Sequence, residues 1–400
     1  MTRRGIGLAV IGFGWMGQAH SRSYLRIPTL FPERTYDPRL VVCADNVEAR
    51  CAEAVDSFGF AEATADWRRA VEHPDVDVVV VTAPNMLHEE LCVAAAAAGK
   101  HVFCEKPVGG TPEQTLRVAA AARRAGIISG VGYNYRWVPL VLHAKELIGA
   151  GRLGEITNYR GRFFTMYGSD PLGLLSWRFL QDQGGYGVSS DILSHAVDLA
   201  TFLVGPITRL VGTQETFIRQ RPLPTGAGGT HYARGRPGDP LGEVTNEDYA
   251  GALVQFANGA CGTFEASRAI IGPESQMAFE VYGTRGSIGW NLENLNELRV
   301  NLTDDEGRAP RGYTTVFGGD RYPYHGHFVP GDANSIGFED VITIEDYAFL
   351  SSVAAGTPHA PGFEEAVDYV SFQAAWARSC DTGRWEDVVR LEAAREEERR

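Results

Sequence analysis

The sequence has 400 residues, of which 44% are hydrophobic and 22% charged, and its formal net charge is −13. This length exceeds what one hydrophobic core usually serves, so we expect two domains. The acidic balance and the absence of a basic stripe argue against a nucleic-acid partner. No stretch approaches the roughly 20 apolar residues of a membrane span, so we expect no membrane association and a cytoplasmic location.

The six cysteines are scattered, with no Cys-x-x-Cys pair and no metal-ligand spacing. Several lie in apolar runs, where cysteine behaves as a small hydrophobic residue. We therefore predict reduced thiols and no metal site.

The first third of the chain alternates short apolar runs with helical patterns, which predicts a parallel, doubly wound sheet. Strands are predicted at residues 5–11, 40–44, 76–82 and 101–104, with helices between them. The first helix is expected to extend to about Arg26, ahead of a segment that contains three prolines. Thr111 and Pro112 predict the start of another helix, as a capping residue followed by proline.

The pattern changes near residue 134. From about residue 156 onward, long alternating segments predict one large, mostly antiparallel sheet with one covered face. Residues 219–246 are rich in glycine and proline and too long for a plain connection, and such loops are usually functional or mobile. The predicted fold class is therefore α/β, with a dinucleotide-binding domain at 1–133 and a substrate-binding and oligomerisation domain at 134–400.

A glycine fingerprint, Gly12, Gly14 and Gly17, follows the first predicted strand and opens a helix, with Trp15 and Met16 inside the turn. In this context the glycines let backbone N–H groups approach a pyrophosphate, which predicts a Rossmann domain. Asp45 ends the second strand, where its carboxylate would bind ribose hydroxyls and repel a 2′-phosphate. This favours NAD over NADP; the alternative is that Asp45 only caps the next helix.

Polar residues also follow the next two strands. Pro84 and Asn85 end one strand, with His88 a turn later, and Glu105 and Lys106 end the other. Ligands collect at the carboxyl ends of parallel strands. Lys106 is therefore predicted to orient a substrate hydroxyl and to stabilise the forming alkoxide. The alternatives are a turn residue for Asn85, a surface or capping role for His88 and a solvated lysine.

A second polar group consists of Asp191, His195 and Asp198, at spacings i, i+4 and i+7. This spacing places the three side chains on one face of a helix. Because a histidine side chain ordinarily titrates near neutrality, His195 is predicted to be the general base. Asp191 would bind a substrate hydroxyl or steer the other groups, and Asp198 would support them. The alternative is a row of satisfied core polar groups.

Together these motifs resemble the glucose–fructose oxidoreductase / inositol dehydrogenase / rhizopine-catabolism (Gfo/Idh/MocA) family. The matching patterns are Pro-Asn-x-x-His at 84–88, Glu-Lys-Pro at 105–107, Tyr-Asn-x-Arg at 133–136 and Asp-x-x-x-His at 191–195. The resemblance implies a Rossmann domain, a C-terminal α/β domain with an open sheet and a substrate cleft between them. It also implies a homodimer or homotetramer.

The resemblance further implies NAD(P)-dependent oxidation of a sugar or cyclitol hydroxyl, with a catalytic set of Lys106, Asp191 and His195. The implied cofactor-binding residues are Gly12, Gly14, Trp15, Met16, Gly17, Asp45, Pro84, Asn85, His88, Glu105 and Lys106. The implied substrate-binding residues are Lys106, Tyr135, Arg136, Trp177, Arg178, Asp191 and His195.

Within the family, residues 176–179, 219–246 and 256–260 are similar to a bacterial member that oxidises the 3-hydroxyl of an anhydrosugar. Trp177 or Trp137 could stack on a sugar face while Arg178 binds hydroxyls, or both tryptophans could be packing residues. We predict an NAD-dependent dehydrogenase of a sugar, anhydrosugar or glycoside. The alternatives are an inositol or cyclitol dehydrogenase, a glycosidase that uses NAD transiently, and a non-enzymatic NAD-binding regulator.

Overall fold

The computed structural model describes residues 3–224, 233–303 and 312–392. These residues form two compact units. Of the described residues, the first unit contains 3–137, 336–370 and 390–392, and the second contains those within 138–335 together with 371–389. The predicted domain boundary at 133/134 lies close to Trp137, where the chain first passes from the first unit to the second. However, the sequence assigned 336–370 to the second domain, whereas the structure packs this segment with the first unit.

The described residues contain the following elements. The strands are β1 Arg4–Ile11, β2 Tyr36–Ala44, β3 Glu62–Thr64, β4 Val78–Val81, β5 His101–Cys104, β6 Ser129–Val131, β7 Ile156–Thr165, β8 Ile207–Glu215, β9 Gln220–Pro222, β10 Leu241–Glu243, β11 Tyr249–Phe256, β12 Cys261–Ser267, β13 Ser275–Gly283, β14 Gly286–Asn291, β15 Glu297–Leu302, β16 Thr314–Phe317 and β17 Glu386–Asp387. The helices are α1 Trp15–Leu30, α2 Glu48–Asp56, α3 Trp67–Glu72, α4 His88–Ala97, α5 Pro112–Ala125, α6 Pro139–Gly149, α7 Gln181–Gly184, α8 Ser194–Leu203, α9 Phe338–Ala355 and α10 Phe363–Thr382. None of these helices is long and apolar enough to cross a membrane.

The first unit is built on a six-stranded sheet in the order β3-β2-β1-β4-β5-β6, in which every described pair is parallel. Its central strands are continuous apolar runs because helices cover both faces; β4 is four buried valines. Thr111 and Gln114 form a reciprocal capping box at the start of α5, as the sequence predicts for that helix start.

The segment 336–370 completes the core of this first unit. Phe363, Ala366 and Val367 belong to the same buried cluster as Val79 and Val81 of β4. Helix α9 packs against α1, where the rings of Phe31 and Tyr347 stack with centroids 3.9 Å apart. The Rossmann part of the chain therefore obtains part of its apolar core from residues more than 200 positions downstream.

The second unit is built on a nine-stranded sheet in the order β16-β15-β14-β13-β7-β12-β11-β8-β17. Among the described strands of this sheet, only the β7–β12 pair is parallel. Side chains alternate between its faces: Tyr159 and Phe264 are buried, whereas Arg160 and Glu265 are exposed. The predicted α/β fold, with a parallel Rossmann sheet followed by a large, mostly antiparallel sheet, is confirmed.

Candidate active site

The glycine fingerprint has the geometry that a dinucleotide site requires. Gly12 has a φ of +94°, and a Cβ there would lie 2.7 Å from the backbone of Ala83. A Cβ on Gly17 would lie 2.1 Å from the carbonyl oxygen of Gly12, so this glycine permits close packing of helix and strand. By contrast, a Cβ on Gly14 would meet nothing within 4 Å. Open space at the amino end of α1 fits a pyrophosphate approached by backbone N–H groups.

Asp45 lies beside this loop, and its carboxylate joins two parts of the unit. One oxygen accepts a hydrogen bond from the Phe13 N–H at 2.7 Å, and the other from the Val47 N–H at 2.9 Å. The guanidinium of Arg50 lies 3.4 Å from the first oxygen. Asp45 therefore supports both the glycine loop and the turn into α2, and its contact with a ribose stays a prediction.

Trp15 and Met16 begin α1 next to the glycines. Trp15 is 65% exposed, and its ring stacks on that of Phe338, with centroids 5.6 Å apart. Phe338 also lies 6.3 Å from the ring of Tyr135, which follows β6 and is buried. Sequence reasoning missed Phe338 because it lies more than 300 residues downstream of Trp15.

Arg136 and Trp137 lie in the same 3₁₀ turn as Tyr135. Arg136 is buried, and Trp137 stacks on His359 with centroids 5.9 Å apart. Burial, aided by the charge of Arg136, lowers the pKa of His359 to about 4. Trp137 therefore has the packing role that the sequence left open as an alternative to sugar stacking.

The strand-end residues Pro84 and Asn85 open a 3₁₀ turn that leads into α4, where His88 is buried. The two ring nitrogens of His88 each lie 2.7 Å from a backbone oxygen, those of Pro107 and Ala83. Only a doubly protonated ring could donate to both, but burial opposes that charge and lowers the pKa of His88. His88 thus ties together the two strand ends, and its contact with a cofactor stays a prediction.

Glu105 and Lys106 follow β5 and are half-buried. One carboxylate oxygen of Glu105 accepts the backbone N–H of Lys106 at 3.1 Å, and the other lies 3.2 Å from the Nε2 atom of His20. The carboxylate also packs on Gly132, where a Cβ would lie 2.8 Å from it. These contacts hold Glu105, the residue directly before Lys106, in one position.

In the second unit, Asp191 is held by two side chains. Its Oδ2 accepts a hydrogen bond from the Tyr167 hydroxyl at 2.7 Å, and its Oδ1 lies 3.3 Å from the guanidinium of Arg178. Burial, with the charge of Asp191, raises the pKa of Tyr167, so this hydroxyl keeps its proton. Arg178 also lies 4.6 Å from the ring of Trp177. The structure thus brings together the predicted residues Asp191, Arg178 and Trp177. It adds Tyr167, which sequence reasoning missed.

The helix that carries Asp191, His195 and Asp198 is not a regular α-helix throughout. Asp191 lies in a π-helical turn, Ser189–Leu193, and only afterwards does α8 begin with Ser194. His195 and Asp198 are buried within α8, whereas the carboxylate of Asp191 is 21% exposed. The expectation of one regular α-helix through the three residues is therefore corrected, because a π-turn at Asp191 changes the local repeat. Their position on a common face stays a prediction.

Polar groups distant in sequence fix this turn. The Glu247 carboxylate accepts the backbone N–H groups of Gly187 and Ser189 at 2.8 and 2.9 Å, where negative charge favours a helix start. The side-chain amide of Gln373 donates to the hydroxyls of Ser189 and Ser190. No local sequence pattern around Glu247 or Gln373 predicted that they bind this turn.

The turn that carries Trp177 and Arg178 is also anchored. Arg268 pairs with Asp248 at 2.8 Å, both fully buried, and donates to the Arg178 carbonyl at 3.1 Å. Two guanidiniums lie close to the ring of Phe179: that of Arg221 is 4.0 Å from the ring centroid and that of Arg268 is 4.5 Å from it.

The insertion at 219–246 supplies Arg221. Its strands β9 and β10 pair with each other, and Arg221 donates to the carbonyls of Asp170 and Gly168. Residues 225–232 of the insertion lie outside the described residues. The described part packs on residues 168–175 of its own unit and so supports the turn at 177–179.

Lys106 lies in the first unit, whereas Arg178, Asp191 and His195 lie in the second. Among the described residues, no group of three or more His, Cys, Asp or Glu side chains could hold a metal ion.

Comparison with known proteins identifies both parts of the chain. Residues 6–133 match the model of an oxidoreductase family with an NAD-binding Rossmann fold, and 141–289 match the GFO/IDH/MocA C-terminal domain. The chain is 36% identical to levoglucosan dehydrogenase of Pseudarthrobacter phenanthrenivorans, over 97% of this chain and 99% of that protein. It is 27% identical to myo-inositol 2-dehydrogenase of Thermotoga maritima, over 78% of this chain and 82% of that protein.

Solved structures of levoglucosan dehydrogenase are also similar to this chain. A levoglucosan dehydrogenase in complex with NADH and levoglucosan has a TM-score of 0.90 and 34% identity, covering 97% of this chain and 100% of that chain. The apo form of levoglucosan dehydrogenase has a TM-score of 0.92 and 35% identity, with the same coverage.

Proposed function

This chain belongs to the Gfo/Idh/MocA family of NAD-dependent oxidoreductases, and we propose that it oxidises a secondary hydroxyl group of a sugar, anhydrosugar or glycoside. The observation that carries the proposal is the similarity of nearly the whole chain to a dehydrogenase solved with NADH and levoglucosan. An anhydrosugar is the substrate class that this similarity favours, and the 3-hydroxyl is the position we propose.

The glycine loop supports NAD as the cofactor. Gly12 and Gly17 require the absence of a side chain, and Gly14 leaves open space at the amino end of α1. These residues would hold the pyrophosphate, with Asp45 beside the ribose. When bound, the nicotinamide supplies the acceptor for a hydride.

The chain's own catalytic groups would be Lys106, His195 and Asp191. Lys106 would hold and polarise the oxygen of the reacting hydroxyl, and His195 would take its proton. Asp191 would accept a hydrogen bond from a substrate hydroxyl. The contacts of Asp191 with Tyr167 and Arg178 support this role, because they fix both of its oxygens while part of the carboxylate stays accessible.

Trp177, Arg178, Tyr135 and Arg136 are the proposed substrate-binding residues. The Trp177 ring and the Arg178 guanidinium lie together, 4.6 Å apart, and offer an apolar face beside hydrogen-bond donors. This pairing suits a ring that carries hydroxyl groups.

The test is NADH formation with a panel of anhydrosugars, glycosides, aldoses and inositols. We expect the highest kcat/KM with an anhydrosugar, and loss of turnover in Lys106→Met with NAD binding retained in a fluorescence titration. Preference for an inositol would make the protein a cyclitol dehydrogenase. Release of a free sugar without net NADH would indicate a glycosidase, and NAD binding without turnover of any compound would indicate a regulator.

Our proposal includes a cytoplasmic homodimer or homotetramer. Among the described residues the six cysteines are free thiols, which is usual in a reducing compartment. We propose the exposed face of the nine-stranded sheet, which carries Leu253, as the contact between copies.

A further inference from the structure

Two buried histidines hold the segment that carries Lys106, and their surroundings differ. His88 contacts the Pro107 carbonyl and a second carbonyl, with no carboxylate at hydrogen-bond distance among the described residues. His20, from α1, lies instead between two carboxylates, those of Asp346 and Glu105.

The geometry of His20 defines its hydrogen bonds. Its Nδ1 lies 2.9 and 3.0 Å from the two oxygens of Asp346, and its Nε2 lies 3.2 Å from Oε1 of Glu105. The His20 and Asp346 side chains are both fully buried. Because an ionised carboxylate only accepts hydrogen bonds, both ring nitrogens must carry a proton to satisfy this arrangement.

Glu105 connects His20 to the backbone of Lys106. The second oxygen of Glu105 accepts the Lys106 N–H, and Gly132 leaves room for the carboxylate. Movement of the Glu105 side chain would therefore release a hydrogen bond to the peptide that leads into Lys106.

We propose that His20, as an imidazolium, is a positioning residue that fixes Glu105 and, through it, the backbone at Lys106. The inference rests on the proposed function only in that Lys106 is the group whose position matters for turnover.

The ring is faced by Asp346 from α9, by Glu105 from the end of β5 and by Tyr24 from its own helix. Burial alone would lower the pKa of His20, but Asp346 and then Glu105 raise it well above 6.5. A raised pKa means that the charged arrangement is complete at and below neutral pH and is lost as the pH rises through the folded value. After proton loss, a lone pair of Nε2 would face the Glu105 carboxylate and repel it.

Two substitutions should move this titration in opposite directions. Asp346→Asn removes the main anionic partner, so the alkaline fall of kcat should move to lower pH by about one unit or more. Tyr24→Phe removes a 3.0 Å hydrogen bond to Asp346, which leaves that carboxylate freer to hold the ring proton. The fall should then move to slightly higher pH. His88→Asn should lower kcat at every pH alike, since His88 holds the segment without a carboxylate.

Two measurements do not depend on turnover. The ring proton of His20, assigned by its loss in His20→Asn, is followed by NMR against pH. Acetic anhydride labelling of Lys106, quantified by mass spectrometry relative to Lys100, should change over the same pH interval as the His20 signal. A His20 ring that titrates at or below 6.5 would overturn the proposal, as would Lys106 labelling that is the same in wild type and Asp346→Asn. If no compound of the substrate panel is oxidised, the proposed function is contradicted. The NMR titration and the Lys106 labelling would still test the role of His20.

Discussion

At the scale of single residues, Asp45 combines a structural and a proposed specificity role. The sequence left open whether it caps a helix or binds a ribose. In the structure both carboxylate oxygens accept backbone N–H groups, and one of them also lies near Arg50. These contacts do not exclude a ribose, because a carboxylate has about four acceptor positions. They do mean that Asp45 also holds the glycine loop.

Replacement of Asp45 should therefore have two effects. In Asp45→Ser, we expect the ratio of kcat/KM for NADP to that for NAD to rise by about tenfold or more, because the carboxylate is lost and Arg50 is released. The buried Phe13 N–H loses its acceptor, which should cost about 1–3 kcal/mol of unfolding free energy. Steady-state kinetics with both cofactors measure the first effect, and thermal unfolding the second.

The matched control is the double variant Asp45→Ser/Arg50→Met, which should lose most of the gain with NADP. An unchanged cofactor ratio in Asp45→Ser would leave Asp45 a purely structural residue.

At the scale of elements, the insertion acts as a support for a turn that carries proposed substrate-binding residues. Its Arg221 is fully buried, and burial lowers the pKa of this guanidinium to about 10. It contacts the Phe179 ring and two carbonyls of the loop at 168–170. The described part of the insertion therefore belongs to the scaffold of its unit.

We expect Arg221→Met to leave the Gly168 carbonyl without this donor, at a cost of about 1–3 kcal/mol in unfolding free energy. The KM for sugar should rise several-fold and that for NAD should stay the same, because Phe179 follows Arg178 directly. Thermal unfolding and initial-rate kinetics measure these changes.

Arg219→Met is the matched control, since Arg219 belongs to the same insertion but is 77% exposed. Its effect on stability should stay within about 0.5 kcal/mol. Equal effects of the two substitutions would contradict the supporting role of Arg221.

At the scale of the whole molecule, the chain contributes to each unit more than once. Residues 336–370 return to the Rossmann unit, where they supply core side chains and the Asp346 partner of His20. Residues 371–389 return to the second unit, where Gln373 binds the π-turn. Neither unit is a continuous segment of sequence.

The proposed oligomer is tested at this scale. Light scattering should give a mass of about two or four times 43.6 kDa. Leu253→Arg, at a position that is 51% exposed on β11, should lower this mass, because a charge would be buried in the contact between copies. Ile271→Arg changes another exposed apolar residue outside the strands and should leave the mass unaltered. A monomeric wild-type protein would rule out the oligomer.

Local sequence signals determined much of this protein. Alternation of apolar runs predicted both sheets, and the glycines and the strand-end motifs predicted the family and NAD, all of which are confirmed. These signals work because hydrophobic period, turn residues and caps act over a few neighbouring positions. The catalytic assignments remain predictions.

Tertiary structure alone decided the rest. Helix α1 extends past the predicted end at Arg26 to Leu30, because Ile27 and Phe31 are buried and Phe31 stacks on Tyr347. The π-turn at Asp191 depends on Glu247 and Gln373, and the proposed charge of His20 depends on Asp346, 326 residues away. Hydrogen bonds between buried groups can be formed only once the chain has folded, so no spacing in the sequence specifies their partners.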